Sequence, residues 1–124
     1  MTTPQRPLSP HLQVYRWQLT MVMSILHRAT GVALSFGALG LAVWLVALAG
    51  DAQGYAAFMA IARSLPGQAL LFVFAAALVY HLLNGLRHLA WDAGWGLEIP
   101  EVYRSGYTVA ALTVLVTAAL WWLA

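Results

Sequence analysis

Three long stretches of apolar residues dominate the pattern of hydrophobic and polar positions along the chain. Residues 29–49 contain no charged side chain, residues 68–91 contain none before Arg87, and residues 107–124 contain none at all. A helix rises 1.5 Å per residue, so about 20 apolar residues cross the hydrocarbon core of a bilayer, which is about 30 Å thick. The pattern therefore predicts three transmembrane helices, at about 24–49, 68–91 and 107–124.

The segments that connect these stretches are short and polar. Gly50, Asp51 and Gly54 interrupt the apolar pattern, and residues 55–63 are expected to form a short surface helix that ends near Pro66. No internal repeat or low-complexity linker divides the chain. We therefore expect an all-α membrane protein with one transmembrane domain, residues 1–124, and an interfacial segment at the N-terminus.

The composition excludes several classes of function. Hydrophobic residues make up 62% of the 124 residues and charged residues only 8%, whereas a soluble domain carries about 25% charged residues. The six basic residues are too few to form a stripe along a nucleic-acid backbone. The absence of cysteine excludes disulfides, thiolate metal sites, iron–sulfur clusters and thiol nucleophiles. The chain is therefore neither a soluble enzyme in its own right nor a nucleic-acid-binding protein.

The arginines are unequally distributed about the predicted helices. Five lie before the uncharged stretch that begins at residue 29 or beside the second loop, and only Arg63 lies in the first loop. Because cytoplasmic loops are enriched in arginine and lysine, we expect a cytoplasmic N-terminus and a periplasmic C-terminus. The residues before the first apolar stretch resemble neither a secretory signal nor a mitochondrial leader. These features favour a protein of the bacterial inner membrane.

Polar residues within the second predicted helix require an explanation. His81 lies six residues before Arg87, about 9 Å deeper along a helix, and ionisable groups at such depth are often functional. His81, Asn84, Gly85 and His88 share one helix face because they are spaced by three and four residues. A hydrogen bond to a neighbouring helix would explain His81, and so would a metal. Gly85 leaves room for a flat group or a closely packed helix.

A second polar set surrounds the start of the first predicted helix. Its members recur every three or four residues and combine a flat ring, a hydroxyl and a permanent cation: Trp17, Met21, Ser24, Arg28 and Gly31. Ser24 and Arg28 suit a polar ligand that develops negative charge, with Trp17 as a wall. Alternatively, Arg28 and the neighbouring His27 are interface residues that extend toward lipid phosphates.

The positions of the histidines along the helices argue against two iron ligands from this chain. His27 is predicted at the membrane edge and His81 about 10 Å inside it. His11 and His88 are predicted to be shallower still. A heme iron held by two histidines would then need one of them from another chain.

Three motifs of the chain resemble one family. RPLSPH at residues 6–11, SILHRATG at 24–31 and HLLNGLRHLAWD at 81–92 look like the cytochrome b subunit of succinate dehydrogenase, the larger membrane anchor of respiratory complex II. The resemblance covers nearly the whole chain. It implies half of a heterodimeric helix bundle, partnered by a small membrane anchor subunit, an iron–sulfur subunit and a flavoprotein subunit.

The resemblance also implies a heme b site. His81 would be one axial ligand of the iron, and a histidine of the small anchor subunit would be the other. His27 and Arg28 would approach the heme propionates. His88, in the same motif as His81, is a further candidate.

The resemblance implies a ubiquinone site as well. Ser24 and Arg28 would line it, and Ile25 and Trp17 would form apolar walls. Asp92 matches an acidic residue of the family near the quinone region. Succinate would be oxidised on the flavoprotein subunit, outside this chain.

Three alternatives remain open from the sequence. A fumarate reductase anchor would run the reverse reaction with the same residues. A small transporter or channel subunit would require a second polar residue at the depth of His81, and neither of the other predicted helices has a charged one. The third alternative is a structural anchor without heme.

Overall fold

The computed structural model describes residues 16–124, which form four helices and no strand. These are α1 (Leu19–Ala49), α2 (Ala52–Ala62), α3 (Leu65–Asp92) and α4 (Ile99–Leu123). Helices α1, α3 and α4 are long and apolar enough to cross a membrane. The predicted class, an all-α protein with three membrane-crossing helices, is confirmed. The predicted interfacial segment and the motif at residues 6–11 lie outside the described residues.

Helices α1, α3 and α4 begin before the predicted spans, and polar side chains cap the starts of α2 and α3. The side chain of Asp51 accepts a hydrogen bond from the Gly54 amide at 2.6 Å and begins α2. Ser64 accepts from the Gly67 amide at 3.3 Å and begins α3 three residues before the predicted span. Such side-chain caps satisfy amides that have no partner within the helix. Helix α4 begins at Ile99, since Pro100 is well accommodated in a first helical turn.

Helix α3 is the centre of the bundle and packs against both α1 and α4. Gly37 of α1 lies directly against the ring of Phe74 of α3. The Tyr80 hydroxyl donates a 2.7 Å hydrogen bond to the backbone carbonyl of Met23, which ties α3 to α1. Gly106 of α4 allows Met23 of α1 to approach closely, so α4 also contacts α1.

Most large apolar side chains point away from this bundle. Among residues 16–124 the buried apolar residues are few: Met23, Ala77, Val79 and Val109. Exposed apolar side chains line all three long helices. Lipid or other membrane helices can cover such surfaces, whereas water would not. The bundle therefore has the surface of a membrane protein.

Candidate functional site

Three histidines from two helices form a cluster between α1 and α3. The rings of His27 and His81 stack with centroids 3.9 Å apart and planes 7° apart. The ring of His88 lies 5.2 Å from that of His27. In the described part of the chain, no group of three potential ligands is arranged to hold a metal ion. The rings are close enough to influence one another without forming a three-ligand metal centre.

The hydrogen bonds of His81 determine which of its ring nitrogens carries the proton. His81 Nδ1 lies 3.1 Å from the backbone carbonyl oxygen of His27 and 3.1 Å from Thr30 Oγ1. The carbonyl can only accept, and the Thr30 hydroxyl itself donates to a carbonyl of its own helix, at 2.8 Å from Leu26 or 3.0 Å from His27. Nδ1 must therefore be the protonated nitrogen. In the neutral ring Nε2 then keeps its lone pair, which is the arrangement of a metal-binding histidine.

Two glycines let α1 and α3 pack closely around the histidine rings, and one ring nitrogen is left without a partner. Gly31 lies beside the His81 ring, and a Cβ atom there would be 3.1 Å from His81 Cε1. Gly85 faces His27, and its Cβ would be 3.8 Å from His27 Cε1. His27 Nδ1 is buried and has no hydrogen-bond partner. A buried ring nitrogen without a partner is costly, so a group outside this chain is expected to complete it.

The structure corrects the predicted depths of His27 and His81. The two rings lie at the same level, in contact, and not about 10 Å apart. Helix α1 begins at Leu19, eight residues before His27, so His27 lies about 12 Å inside the helix. Arg87 is not an outward-facing charge either, because its side chain is only 6% exposed and lies between α3 and α4.

Arg87 belongs to a buried polar network between α3 and α4, which the pattern of charged residues along the chain did not predict. Its guanidinium donates to Ser105 Oγ at 2.9 Å, to the Val102 carbonyl at 2.7 Å and to Asn84 Oδ1 at 3.4 Å. It also lies 4.0 Å above the ring of Trp91. Asn84 is fully buried, and its Nδ2 lies 3.3 Å from His88 Nε2. The network thus reaches the histidine cluster from α4.

The predicted quinone residues lie on the outer side of α1. Ser24 is half-buried, Ile25 is 49% exposed and Arg28 is exposed. Trp17 is 67% exposed and precedes the first residue of α1, so the helical spacing predicted for it does not apply. Ser24 and Arg28 remain one helical turn apart.

The histidines, in contrast, meet inside the bundle. Asp92 is the last residue of α3 and is exposed, one turn beyond His88. The structure therefore brings His27, His81 and His88 together, whereas Ile25, Arg28 and Asp92 are exposed and Ser24 is half-buried outside the cluster.

Residues 2–120 match the sequence profile of the Succinate dehydrogenase/Fumarate reductase transmembrane subunit family. The chain is 45% identical to the human mitochondrial succinate dehydrogenase cytochrome b560 subunit, over 93% of this chain and 69% of that protein. It is 46% identical to the Paracoccus denitrificans succinate dehydrogenase cytochrome b556 subunit (89% and 85%) and 41% identical to that of Rickettsia typhi (94% and 91%). The chain belongs to the family of succinate dehydrogenase and fumarate reductase transmembrane subunits.

Proposed function

We propose that this chain is the heme b-binding membrane anchor of a succinate:quinone oxidoreductase, and that it forms part of the ubiquinone-reduction site. The observation that carries the proposal is the protonation of the His81 ring nitrogens. Its Nδ1–H is held by the His27 carbonyl and Thr30, which leaves the Nε2 lone pair free within a membrane-crossing helix. The names of the relatives, cytochrome b560 and b556 subunits, support a heme.

The residues around His81 have distinct roles in this proposal. His81 Nε2 would hold the heme iron, and the carbonyl and hydroxyl on Nδ1 fix the orientation of the ring and raise its basicity. His27, with its unpartnered Nδ1, and Arg28 on the next position of α1 bind the propionates. When bound, heme b supplies a one-electron carrier within the membrane.

A second membrane subunit completes the site. Within the cluster, only His81 has one ring nitrogen bonded to a backbone carbonyl and the other without a partner. The second histidine that would hold the iron would come from the small anchor subunit. The apolar surfaces of α1, α3 and α4 provide contact area for that subunit and for lipid. The two chains together form the heterodimeric bundle, on which the iron–sulfur and flavoprotein subunits assemble.

Ser24 and Arg28 bind the quinone headgroup. Ser24 is half-buried and Arg28 is exposed, so a ligand that approaches α1 from outside this chain can reach both side chains. The Ser24 hydroxyl donates to a quinone carbonyl, and Arg28 stabilises the negative charge that develops as the quinone is reduced. Ile25 and Trp17 form apolar walls, and Asp92 is a candidate for relaying protons.

The N-terminus and the loop between α3 and α4 face the cytoplasm of a bacterial inner membrane. Arg16, Arg28 and Arg104 belong to this end of the bundle, whereas Arg63 lies at the other end, where α2 meets α3. The buried Arg87 no longer counts as a charge of the loop, but the remaining asymmetry supports the same orientation. The iron–sulfur subunit then docks on the side where Ser24 and Arg28 lie.

The proposal is tested by replacing His81 in the assembled complex. His81→Leu should abolish the reduced-minus-oxidised heme absorbance while the subunits still associate. His27→Ala is the matched control from the same ring stack, and it should retain heme with a changed midpoint potential. Full heme absorbance in assembled His81→Leu would refute the ligand assignment.

A further inference from the structure

In the buried network of Arg87, Asn84 and His88, the donor and the acceptor of each hydrogen bond can be identified. Asn84 is 0% exposed and Arg87 is 6% exposed, so water does not complete their hydrogen bonds. All nitrogens of a guanidinium are donors, so Arg87 Nη1 can only donate to Asn84 Oδ1, at 3.4 Å. The amide oxygen of Asn84 therefore faces Arg87, and its NH₂ group faces His88.

This direction also determines the protonation of His88. Asn84 Nδ2 lies 3.3 Å from His88 Nε2. Since Nδ2 donates, Nε2 must accept and carries no proton. The neutral His88 ring then holds its proton on Nδ1, where it can serve as a donor.

We propose that Arg87 is a positioning residue: through the amide of Asn84 it fixes the tautomer of His88 and thereby makes His88 Nδ1–H a hydrogen-bond donor within the histidine cluster. The ring of His88 lies 5.2 Å from that of His27. The donor suits an anionic group of a ligand bound at the cluster, such as a carboxylate. This use rests on the proposed function, whereas the tautomer itself does not.

Among residues 16–124, the contacts of Arg87 are suited to orienting the Asn84 amide, and they include no ion pair. In the described residues the guanidinium contacts a hydroxyl, a carbonyl, an amide oxygen and the Trp91 ring, and no carboxylate. These partners lie around a planar group whose nitrogens point in fixed directions, a geometry that lysine cannot reproduce. Two of them, Ser105 and Val102, belong to α4. The orientation of Asn84 is thus anchored to a neighbouring helix.

The test measures the tautomer of His88 directly. The complex is labelled with ¹⁵N-histidine, purified and chemically reduced. Solid-state NMR then distinguishes protonated from unprotonated ring nitrogens. The signals of His88 are assigned by their loss in His88→Gln. In the unsubstituted complex we expect an unprotonated Nε2 and a protonated Nδ1. A protonated Nε2 would overturn the proposal.

Substitutions in the network separate orientation from stability. Asn84→Asp can only accept, so it should invert the tautomer and place the proton on Nε2. Arg87→Lys and Arg87→Leu should replace the single tautomer by a mixture. Arg104→Gln, which removes an exposed arginine of α4, is the matched control and should leave the signals unchanged.

Each outcome of these substitutions decides the proposal. An unchanged tautomer in Asn84→Asp or in Arg87→Lys would overturn it, and these two variants suffice if Arg87→Leu does not assemble. Heme absorbance is recorded on the same samples. If His81→Leu kept full heme absorbance while His88 showed the expected tautomer, the proposed function would be refuted and this inference would stand.

Discussion

The contact between Gly37 and Phe74 provides a quantitative test of how α1 packs on α3. A Cβ atom at Gly37 would overlap the Phe74 ring, with three ring carbons inside normal contact distance. The same atom at Gly40, one turn further along α1, would meet nothing within 4 Å. Gly37→Ala should therefore destabilise the bundle, and Gly40→Ala is the matched control on the same helix.

The magnitude follows from the size of the overlap. Carbon atoms in contact are normally about 3.5–4.0 Å apart, so the Phe74 ring must rotate or α1 must move away from α3. Forced overpacking of this kind typically costs about 1–3 kcal/mol. Replacing glycine by alanine within a helix gains up to about 1 kcal/mol, and this gain is common to both positions. We therefore expect Gly37→Ala to be less stable than Gly40→Ala by about 1–3 kcal/mol.

The assay is the midpoint of thermal dissociation of the detergent-solubilised complex, measured by size-exclusion chromatography. The order of midpoints should be Gly40→Ala at or above the unsubstituted complex, and Gly37→Ala below it. Adding Phe74→Ala to Gly37→Ala removes the overlap, so the double variant should be more stable than the two single effects predict. Equal midpoints for the two glycine variants, or additive effects in the double variant, would refute the close approach of α1 and α3.

Four further predictions concern the site and the topology. Thr30→Val should lower heme affinity about tenfold, as loss of an outer hydrogen-bond partner commonly does, and Thr30→Ser should restore it in a heme titration. Ser24→Ala should reduce kcat/KM for quinone about fivefold and Arg28→Leu by about 10- to 100-fold, since a charge-assisted hydrogen bond is the stronger one; turnover with an artificial acceptor should persist, and unchanged quinone kinetics in both variants would move the site elsewhere. A C-terminal alkaline phosphatase fusion should be active in cells, and an inactive fusion would contradict the proposed orientation. The chain expressed without its partners should yield little heme-bound protein, and a monodisperse heme-bound monomer would contradict a shared ligand.

The helices were predictable because each depends on local sequence. Residues 29–49 and 107–124 are uncharged, and a polar side chain marks where α2 and α3 begin. The register between helices is not local. The contact of His27 with His81 depends on how α1 packs against α3, which a count of residues from an assumed membrane edge cannot give.

Counting residues along the chain also gave the wrong surroundings for the charge of Arg87. An arginine near the end of an apolar stretch usually extends toward lipid phosphates. Here α4 places Ser105 and a backbone carbonyl beside the guanidinium, so the charge is satisfied between helices. The available clue was the pair of small residues, Ser105 and Gly106, which permits a close approach of α4.

Among the described residues, the two buried polar atoms without a hydrogen-bond partner differ in whether their own helix can supply one. Two buried side-chain atoms in residues 16–124 lack a hydrogen bond, His27 Nδ1 and Thr117 Oγ1. A threonine hydroxyl in a helix can rotate to the carbonyl one turn earlier, as Thr113 does toward Val109 at 2.7 Å, so Thr117 needs no outside group. A ring nitrogen of His27, stacked on His81, has no such local acceptor or donor. In a membrane, where water does not supply the missing bond, a group outside this chain would complete the hydrogen bonding of His27 Nδ1.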